Sequence, residues 1–392
     1  MPGRGVGEVG DLRMHRYITR ITRSVRVLAV PLLLAGVVAG VSPVMAAAAV
    51  AGSRGPAGSS AASGRLSGVA ATSASNAWAV GGTSGGKALI LRWNGMAWNT
   101  VSSPGAAGSS LSGVAATSAN SAWAVGCSSC TTSSPKPLIV RWNSTAWTQV
   151  PSPAPAGSLS GVAATSASNA WAVGNTSSGK TLILQWNGAA WKQLPSPAPT
   201  GSTLSAVAAT SASNAWAVGF YTAGISVKTL ILRWNGTTWK QVPSPSPGAK
   251  GLENLLFGVA ATSASSAWAV GDISCGCGPG PSLILRWNGT AWTRVSSPSP
   301  PSSAALRGVA ATSATSAWAV GDTMTGATSF GTVILRWNGA AWKQVPSPSP
   351  GASAGLSGVA ATSALNAWAV GWSDTTTGTK TLILRWNGKT WT

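Results

Sequence analysis

The sequence predicts an all-β fold made of seven similar units, and three observations lead to this prediction. One pattern recurs seven times from Leu66 onward, and the first tryptophan of each copy follows that of the preceding copy by 45 to 52 residues. Each copy holds four short apolar segments separated by turn signals, and no segment has a helical apolar period of useful length. A period in this range indicates a solenoid, a propeller or an array. Four antiparallel strands per copy favour a seven-bladed β-propeller of four-stranded antiparallel blades.

The third copy shows each predicted strand in order. The strands are GVAAT (residues 161–165), AWAV (170–173), LILQW (182–186) and a fourth that begins at Trp191. An Asn-Gly pair, as at Asn235-Gly236, predicts the turn between strands three and four because both residue types tolerate positive φ. In the second copy the pair is Asn143-Ser144, which should turn less readily. Pro-Ser-Pro ends the fourth strand, since proline cannot donate to a strand ladder.

A β-solenoid is the alternative architecture. The unit is a meander with a tight hairpin rather than a coil of parallel rungs, and the small residues of its first strand suit seven strands crowded around a central channel. The three tryptophans repeated in every copy are predicted to be core between blades rather than a sugar-stacking array.

The chain divides into three predicted segments. Five arginines and an apolar run from Val27 to Val41 precede small residues near Ala46, which is typical of a signal peptide at 1–46 and predicts a secreted, possibly cell-wall-associated protein with no membrane span after cleavage. Translation from Met14 would give a more ordinary signal length. A Gly/Ser/Ala-rich linker covers 47–65. The propeller covers 66–392, with blades that start at 66, 111, 159, 204, 256, 306 and 356. The last copy stops at Thr392, so either its outer strand is short or the sequence is truncated.

The charge of the predicted mature chain is strongly one-sided. Twenty Lys and Arg stand against four acids after residue 46, and no histidine remains. Such a surface attracts anionic polymers through a screened interaction, which for an exported protein means acidic glycans or cell-wall polyanions. The charge is spread over the repeats, so specific nucleic-acid binding is the weaker reading.

The repeat resembles the Kelch repeat and also the Trp-rich repeats of exported bacterial proteins. The similarity covers residues 66 to 392 and rests on the glycine that ends strand two, an aromatic residue on strand three and a tryptophan on strand four. It departs from Kelch in that only Gly81-Gly82 forms a double glycine. Among Kelch-like folds, galactose oxidases hold copper with His and Tyr. The mature chain has no His and one Tyr, so the resemblance implies no such site and no cofactor here.

The copies disagree mainly in the loop between strands two and three and in the linker to the next blade, which share one face of the predicted disc. All mature aromatic residues outside the repeated tryptophans fall there, together with the acids, which predicts a binding face. Drift of surface loops is the alternative. The candidate ligand-binding residues are Phe220, Tyr221, Phe257, Phe330, Trp372, Asp272, Asp322 and Asp374.

The cysteines and aspartates offer little support for a metal site. Cys127 with Cys130, and Cys275 with Cys277, predict two local disulfides that pin long loops in an exported protein. A four-cysteine zinc site would need blades two and five to meet. Calcium shared by the three aspartates would need three blades to converge on one ion, so no metal is predicted.

The function predicted from these patterns is non-catalytic binding of a glycan or anionic cell-wall polymer by a monomeric, secreted propeller. The alternative is a structural or protein-interaction scaffold at the cell envelope, with an envelope protein as partner. A hydrolase or lyase is the weakest reading, because no close carboxylate pair is evident in the sequence.

Overall fold

A computed structural model describes residues 62–276, 278–298 and 303–392. Throughout these residues the chain is all-β, and none of them forms a helix that could cross a membrane. The predicted signal peptide and the linker up to residue 61 lie outside the described residues, as does Cys277.

Twenty-seven strands follow the seven sequence repeats, four in each of the first six repeats and three in the last. Repeats one to three contain β1 (Gly64–Ser73), β2 (Asn76–Thr83), β3 (Ala88–Trp93), β4 (Trp98–Val101), β5 (Ser110–Ser118), β6 (Ser121–Ser128), β7 (Lys136–Trp142), β8 (Trp147–Gln149), β9 (Ser158–Ser166), β10 (Asn169–Asn175), β11 (Thr181–Trp186) and β12 (Trp191–Leu194). Repeats four and five contain β13 (Ser202–Ser211), β14 (Asn214–Ala223), β15 (Ser226–Trp234), β16 (Trp239–Gln241), β17 (Glu253–Ser263), β18 (Ser266–Ser274), β19 (Ser282–Trp287) and β20 (Trp292–Arg294). Repeats six and seven contain β21 (Ala304–Ser313), β22 (Ser316–Met324), β23 (Phe330–Trp337), β24 (Trp342–Val345), β25 (Ser353–Ser363), β26 (Asn366–Thr375) and β27 (Gly378–Trp386).

Within each repeat the strands pair antiparallel in chain order, as a meander. The strands form six sheets, because repeats four and five are joined by one parallel bridge between Val227 and Glu253. In the last repeat a single bridge between Trp386 and Trp391 stands in place of a fourth strand. Repeated four-stranded antiparallel sheets whose first strands pack side by side make the molecule a β-propeller. Strand β1 begins at Gly64, so it includes the last two residues of the predicted linker.

The turn between strands three and four differs in detail from the sequence prediction. It contains four residues, and the Asn94 side chain accepts hydrogen bonds from the backbone N–H groups of Met96 and Ala97. Only the second residue has positive φ, as at Gly95 with φ 97°. Ser144 takes the same conformation at φ 83°, so the substituted turn forms as predicted. The asparagine is selected for its side-chain oxygen rather than for its own φ.

The core lies between consecutive repeats, as predicted for the repeated tryptophans. Trp123 of β6 lies 4.9 Å from Trp186 and 5.1 Å from Trp191 of the next repeat, measured between ring centroids. Equivalent contacts recur around the molecule, and all twenty-one repeated tryptophans are at most 8% exposed. Repeat seven meets repeat one in the same way, since Trp368 lies 4.9 Å from Trp93.

An arginine guanidinium group lies over each of six tryptophan pairs that join consecutive repeats. An arginine of strand three lies 4.9 to 5.5 Å from the centroids of one tryptophan of its own repeat and one of the next. The six arginines are Arg92, Arg141, Arg233, Arg286, Arg336 and Arg385. Repeat three has Gln185 at this position. Much of the positive charge of the chain therefore supports packing between repeats.

Candidate ligand-binding face

The two ends of each repeat differ in how much the lengths of their turns vary from copy to copy. At one end the turn between strands one and two always has two residues, and strands three and four are joined by the asparagine-capped turn. At the other end the hairpin between strands two and three varies from two residues after Ala223 to seven after Ser128. We call this second end, with the linkers between repeats, the variable face.

All eight candidate ligand-binding residues lie at the variable face, but within strands rather than in loops or linkers. For six of them the difference arises because strands β14, β18, β22 and β26 run on past the glycine where the sequence predicts that strand two ends. The other two, Phe257 and Phe330, lie on β17 and at the start of β23. Side chains on a strand alternate between its two sides. Along each of these strand extensions, consecutive side chains therefore point alternately towards the next repeat and towards the preceding one.

One strand position carries a different role in almost every repeat. The residue directly after the strand-two glycine lies on the same side as the buried tryptophan and points towards the next repeat. The seven residues are Gly82, Cys127, Asn175, Phe220, Asp272, Asp322 and Trp372. Asn175 shows the consequence: its Nδ2 donates to the Ser202 carbonyl at 2.8 Å and its Oδ1 accepts from the Leu204 N–H at 3.2 Å. The residue at this position in repeat three therefore serves the seam between repeats three and four.

Phe330, Trp372 and Asp374 come together at the seam of repeats six, seven and one. The Trp372 ring lies 6.5 Å from that of Phe330, edge to face, and 4.0 Å from the Arg65 guanidinium. Arg65 also pairs with Asp374 at 3.8 Å, and Thr379 donates to the same carboxylate at 2.7 Å. Burial lowers the pKa of Arg65, and Asp374 opposes this change. The charges of Arg65 and Asp374 are therefore balanced within this group of residues.

Phe257, Asp272 and Asp322 come together at the seam of repeats five and six, around Arg307. The Arg307 guanidinium lies 4.7 Å from the Phe257 ring centroid and donates to both carboxylate oxygens of Asp322, at 2.9 and 3.4 Å. Asp272 is 1% exposed, and its Oδ1 has no hydrogen-bond partner among the described residues. Burial raises the pKa of Asp272 to about 7; Arg307 and the Gly280 N–H oppose the rise, while Asp322 and Glu253 add to it.

The aspartates are not arranged around a common ion. Asp322 and Asp374 pair with different arginines. Among the described residues, no three His, Cys, Asp or Glu side chains are grouped so that they could hold a metal.

Tyr221 lines an open cleft. The cleft has a volume of about 280 Å³ and lies in repeat four. The Tyr221 ring is half-buried and packs on the apolar cluster between repeats three and four. Exposed Lys228, its cross-strand partner, and exposed Gln241 complete the open side of the cleft. Its other lining residues are Thr229, Val242, Pro243, Ser244 and Ser246.

The wall of this cleft is fixed by hydroxyl groups. The Thr229 hydroxyl lies 2.8 Å from the Ser244 hydroxyl and 3.1 Å from that of Ser246. Repeat six has the same wall, since Thr332 bonds to Ser347 at 2.7 Å. Repeat six, however, carries Thr323 and Gly331 where repeat four carries Tyr221 and Lys228. The aromatic ring and the ammonium group therefore distinguish the repeat-four cleft.

Phe220 and the cysteines complete the predicted set. Phe220 is half-buried beside Thr203 and Thr229 in the sheet register, on the opposite side of β14 from Tyr221. Cys127 and Cys130 form a disulfide in the loop after β6. Cys275 is also disulfide-bonded.

Comparison with known proteins relates the chain by fold. No family model matches it, and no curated protein matches it, so the Kelch likeness stays a prediction. The structure of YCF48 bound to D1 peptide matches with a TM-score of 0.54 and 15% identity over 83% of this chain and 92% of the other. The lectin BP39L from Burkholderia pseudomallei matches with a TM-score of 0.53 and 14% identity over 84% and 98%.

A GH74 xyloglucanase from Xanthomonas campestris also matches, with a TM-score of 0.55 and 14% identity. This match covers 84% of the chain and 53% of the xyloglucanase. At these identities the comparisons establish a shared fold, and the chain is a tryptophan-rich β-propeller.

Proposed function

We propose that this chain is an exported, non-catalytic binding protein with seven blades, and that its variable face holds a glycan. The Tyr221 cleft carries the proposal. An aromatic ring beside an amide, hydroxyl groups and an ammonium group is a lining that packs on the apolar face of a sugar ring and hydrogen-bonds its hydroxyls. Export rests on the predicted signal peptide at 1–46.

Seven blades are supported by seven equivalent tryptophan seams, including the one between Trp368 and Trp93. The parallel bridge at Val227 links two meanders that each have their own four strands. A ring closed in this way would hold the variable face rigid, which favours binding because little order is lost when a ligand attaches.

The carboxylates support binding rather than catalysis. General acid–base chemistry needs carboxylates that reach the substrate. Asp272 is almost fully buried, and Asp322 is engaged by two nitrogens of Arg307. Among proteins of similar fold, BP39L is a lectin and YCF48 binds a peptide. A protein-binding scaffold at the cell envelope is therefore the second candidate.

The test measures retention of the purified chain on immobilised neutral and acidic glycans and on a peptide library. Tyr221→Ala and Gln241→Ala are expected to weaken glycan retention about tenfold or more, while Tyr221→Phe keeps the ring and retains binding. Gln193→Ala is the matched control, because Gln193 holds the same strand position in repeat three, where Thr176 replaces the tyrosine. Unchanged glycan retention by Tyr221→Ala, with the Tm preserved, would exclude this cleft as the site. Binding to peptides alone would favour the scaffold function.

A further inference from the structure

We infer that the variable face binds a linear, negatively charged polysaccharide along an arc of lysines that spans five consecutive repeats. The inference rests on the proposed glycan-binding function and specifies the ligand class and its path.

The arginines are largely occupied by aromatic rings. Every described arginine except Arg294 lies over a tryptophan or phenylalanine ring: six over the repeated tryptophans, Arg65 over Trp372 and Arg307 over Phe257. The lysines are different. None of those in the described part of the chain forms an ion pair with another described residue.

Five lysines share one position at the variable face. Each stands two residues before the strand-three residue that pairs with the strand-two glycine. The lysines of repeats two, four and seven lie within strand three, so their side chains leave the sheet on the same side. Those of repeats one and three end the hairpin loop directly before strand three. They are Lys87, Lys136, Lys180, Lys228 and Lys380. The first four are exposed; Lys380 is half-buried and donates to the Ser63 hydroxyl at 3.1 Å.

The two remaining repeats interrupt the series and hold three of the four acids among the described residues. Repeats five and six have Pro281 and Gly331 at the lysine position. These acids are Glu253, Asp272 and Asp322, and the first and last of them help to raise the pKa of Asp272. Repeats seven and one are neighbours through Trp368 and Trp93. The lysines therefore form one unbroken arc through repeats seven, one, two, three and four, which ends where repeats five and six begin.

This arrangement fits a chain of anions better than a single anionic group. One exposed lysine contributes little to binding, and salt screens it. Several lysines that meet one polymer act together, because each later contact is intramolecular. The Tyr221 cleft stands at the repeat-four end of the arc, beside Lys228, so a sugar ring bound there leads its polymer onto the arc. Single-stranded nucleic acid is less well matched, since Tyr221 is the only described aromatic side chain lining this cleft and bases need a series of stacking surfaces.

The negative charges could be uronic carboxylates or phosphodiesters, since a lysine ammonium binds both. The experiment measures the affinity of the whole chain for four polymers of similar length: a polyuronate, a polyol phosphate polymer, neutral dextran and single-stranded DNA. The arc variant replaces Lys87, Lys136 and Lys180 by glutamine. The matched control replaces Lys192, Lys240 and Lys343, which are exposed lysines of the fourth strands, and it changes the net charge equally.

The arc variant is expected to lose about tenfold in affinity for at least one anionic polysaccharide, while the control stays within about twofold. Binding should also strengthen as the polymer lengthens and should weaken with salt more steeply in the parent than in the arc variant. The polyuronate and the polyol phosphate identify which anion is preferred.

Three outcomes would overturn the inference. Equal losses in both triple variants would mean that net charge alone attracts the polymer. Tighter binding to DNA than to either polysaccharide would assign the arc to nucleic acid. Tyr221-dependent binding to dextran with no preference for a polyanion would support the proposed glycan-binding function and contradict the role of the lysine arc. If the parent protein bound none of the glycans, both the proposed function and the arc would be contradicted.

Discussion

The guanidinium of Arg65 lies 4.0 Å from the ring centroid of Trp372, and this contact joins the first strand of repeat one to the second strand of repeat seven. Asp374 of the same strand adds an ion pair at 3.8 Å, although both side chains are more than a third exposed. Ser63 and Ala62 extend the seam, since Ser63 bridges Lys380 and the Thr381 N–H donates to the Ala62 carbonyl. Trp372 thus helps to hold the last repeat against the first.

Arg65→Ala is expected to lower the free energy of unfolding by about 1 kcal/mol, because the cation–π contact is lost and the ion pair is largely screened by solvent. Urea unfolding followed by far-UV circular dichroism measures this change. Arg294→Ala is the control, since Arg294 is exposed and has no aromatic partner among the described residues. An equal effect of the two substitutions would show that Arg65 does not contribute to the seam.

Gln185→Arg is expected to stabilise the protein by about 0.5–1 kcal/mol. Gln185 stands where six other repeats place an arginine over a tryptophan pair, and Trp171 and Trp234 already have the required geometry at a centroid distance of 4.9 Å. Arg286→Gln should cost a similar amount.

The Gln185→Arg prediction is measured by urea unfolding, with Gln193→Arg as control. Gln193 lies on the exposed fourth strand of the same repeat, so its substitution adds the same charge without reaching the tryptophans. If Gln193→Arg stabilised the chain as much as Gln185→Arg, the cation–π explanation would fail.

Asp272→Asn is expected to stabilise the protein increasingly as pH rises from 4 to 7, with no further gain above that range. Burial raises the pKa of this carboxyl from 3.8 to about 7 on folding. The folded state therefore holds the extra proton in this window, and the parent loses stability with rising pH. The full loss is on the order of 4 kcal/mol as an upper limit. Thermal unfolding of both proteins at several pH values tests this, and a difference in Tm that stays constant from pH 4 to 8 would contradict it.

The repeated parts of the fold were predictable because each position occurs seven times. The strands, the turn at Asn143-Ser144 and the burial of the repeated tryptophans all follow from residue types that recur in register. The strand ends were misplaced, because residues such as Phe220 and Trp372 continue a ladder that the repeat pattern does not mark.

The candidate site was only partly predictable. Most non-repeated aromatic and acidic residues meet partners that are distant in sequence, as Trp372 meets Arg65, so their rarity alone did not reveal that they pack at seams. The sequence marks Tyr221 as a rare residue of the variable face, but it does not mark Lys228 and Gln241, because lysine and glutamine recur at these positions in other repeats. The combination of residues within one repeat is the signal that could have found them. Only repeat four has lysine and glutamine at these two positions together with an aromatic residue at the position of Tyr221.

The seven tryptophan seams join the repeats through residues that are the same in every copy. Each repeat offers its successor the same buried tryptophan and receives the same pair from it, while the residues that differ stand at the variable face. Exchange of one repeat for another copy would therefore keep the tryptophan contacts and change the side chains at the variable face. It would also change the additional contacts that some of these side chains make with the next repeat, such as that of Trp372 with Arg65.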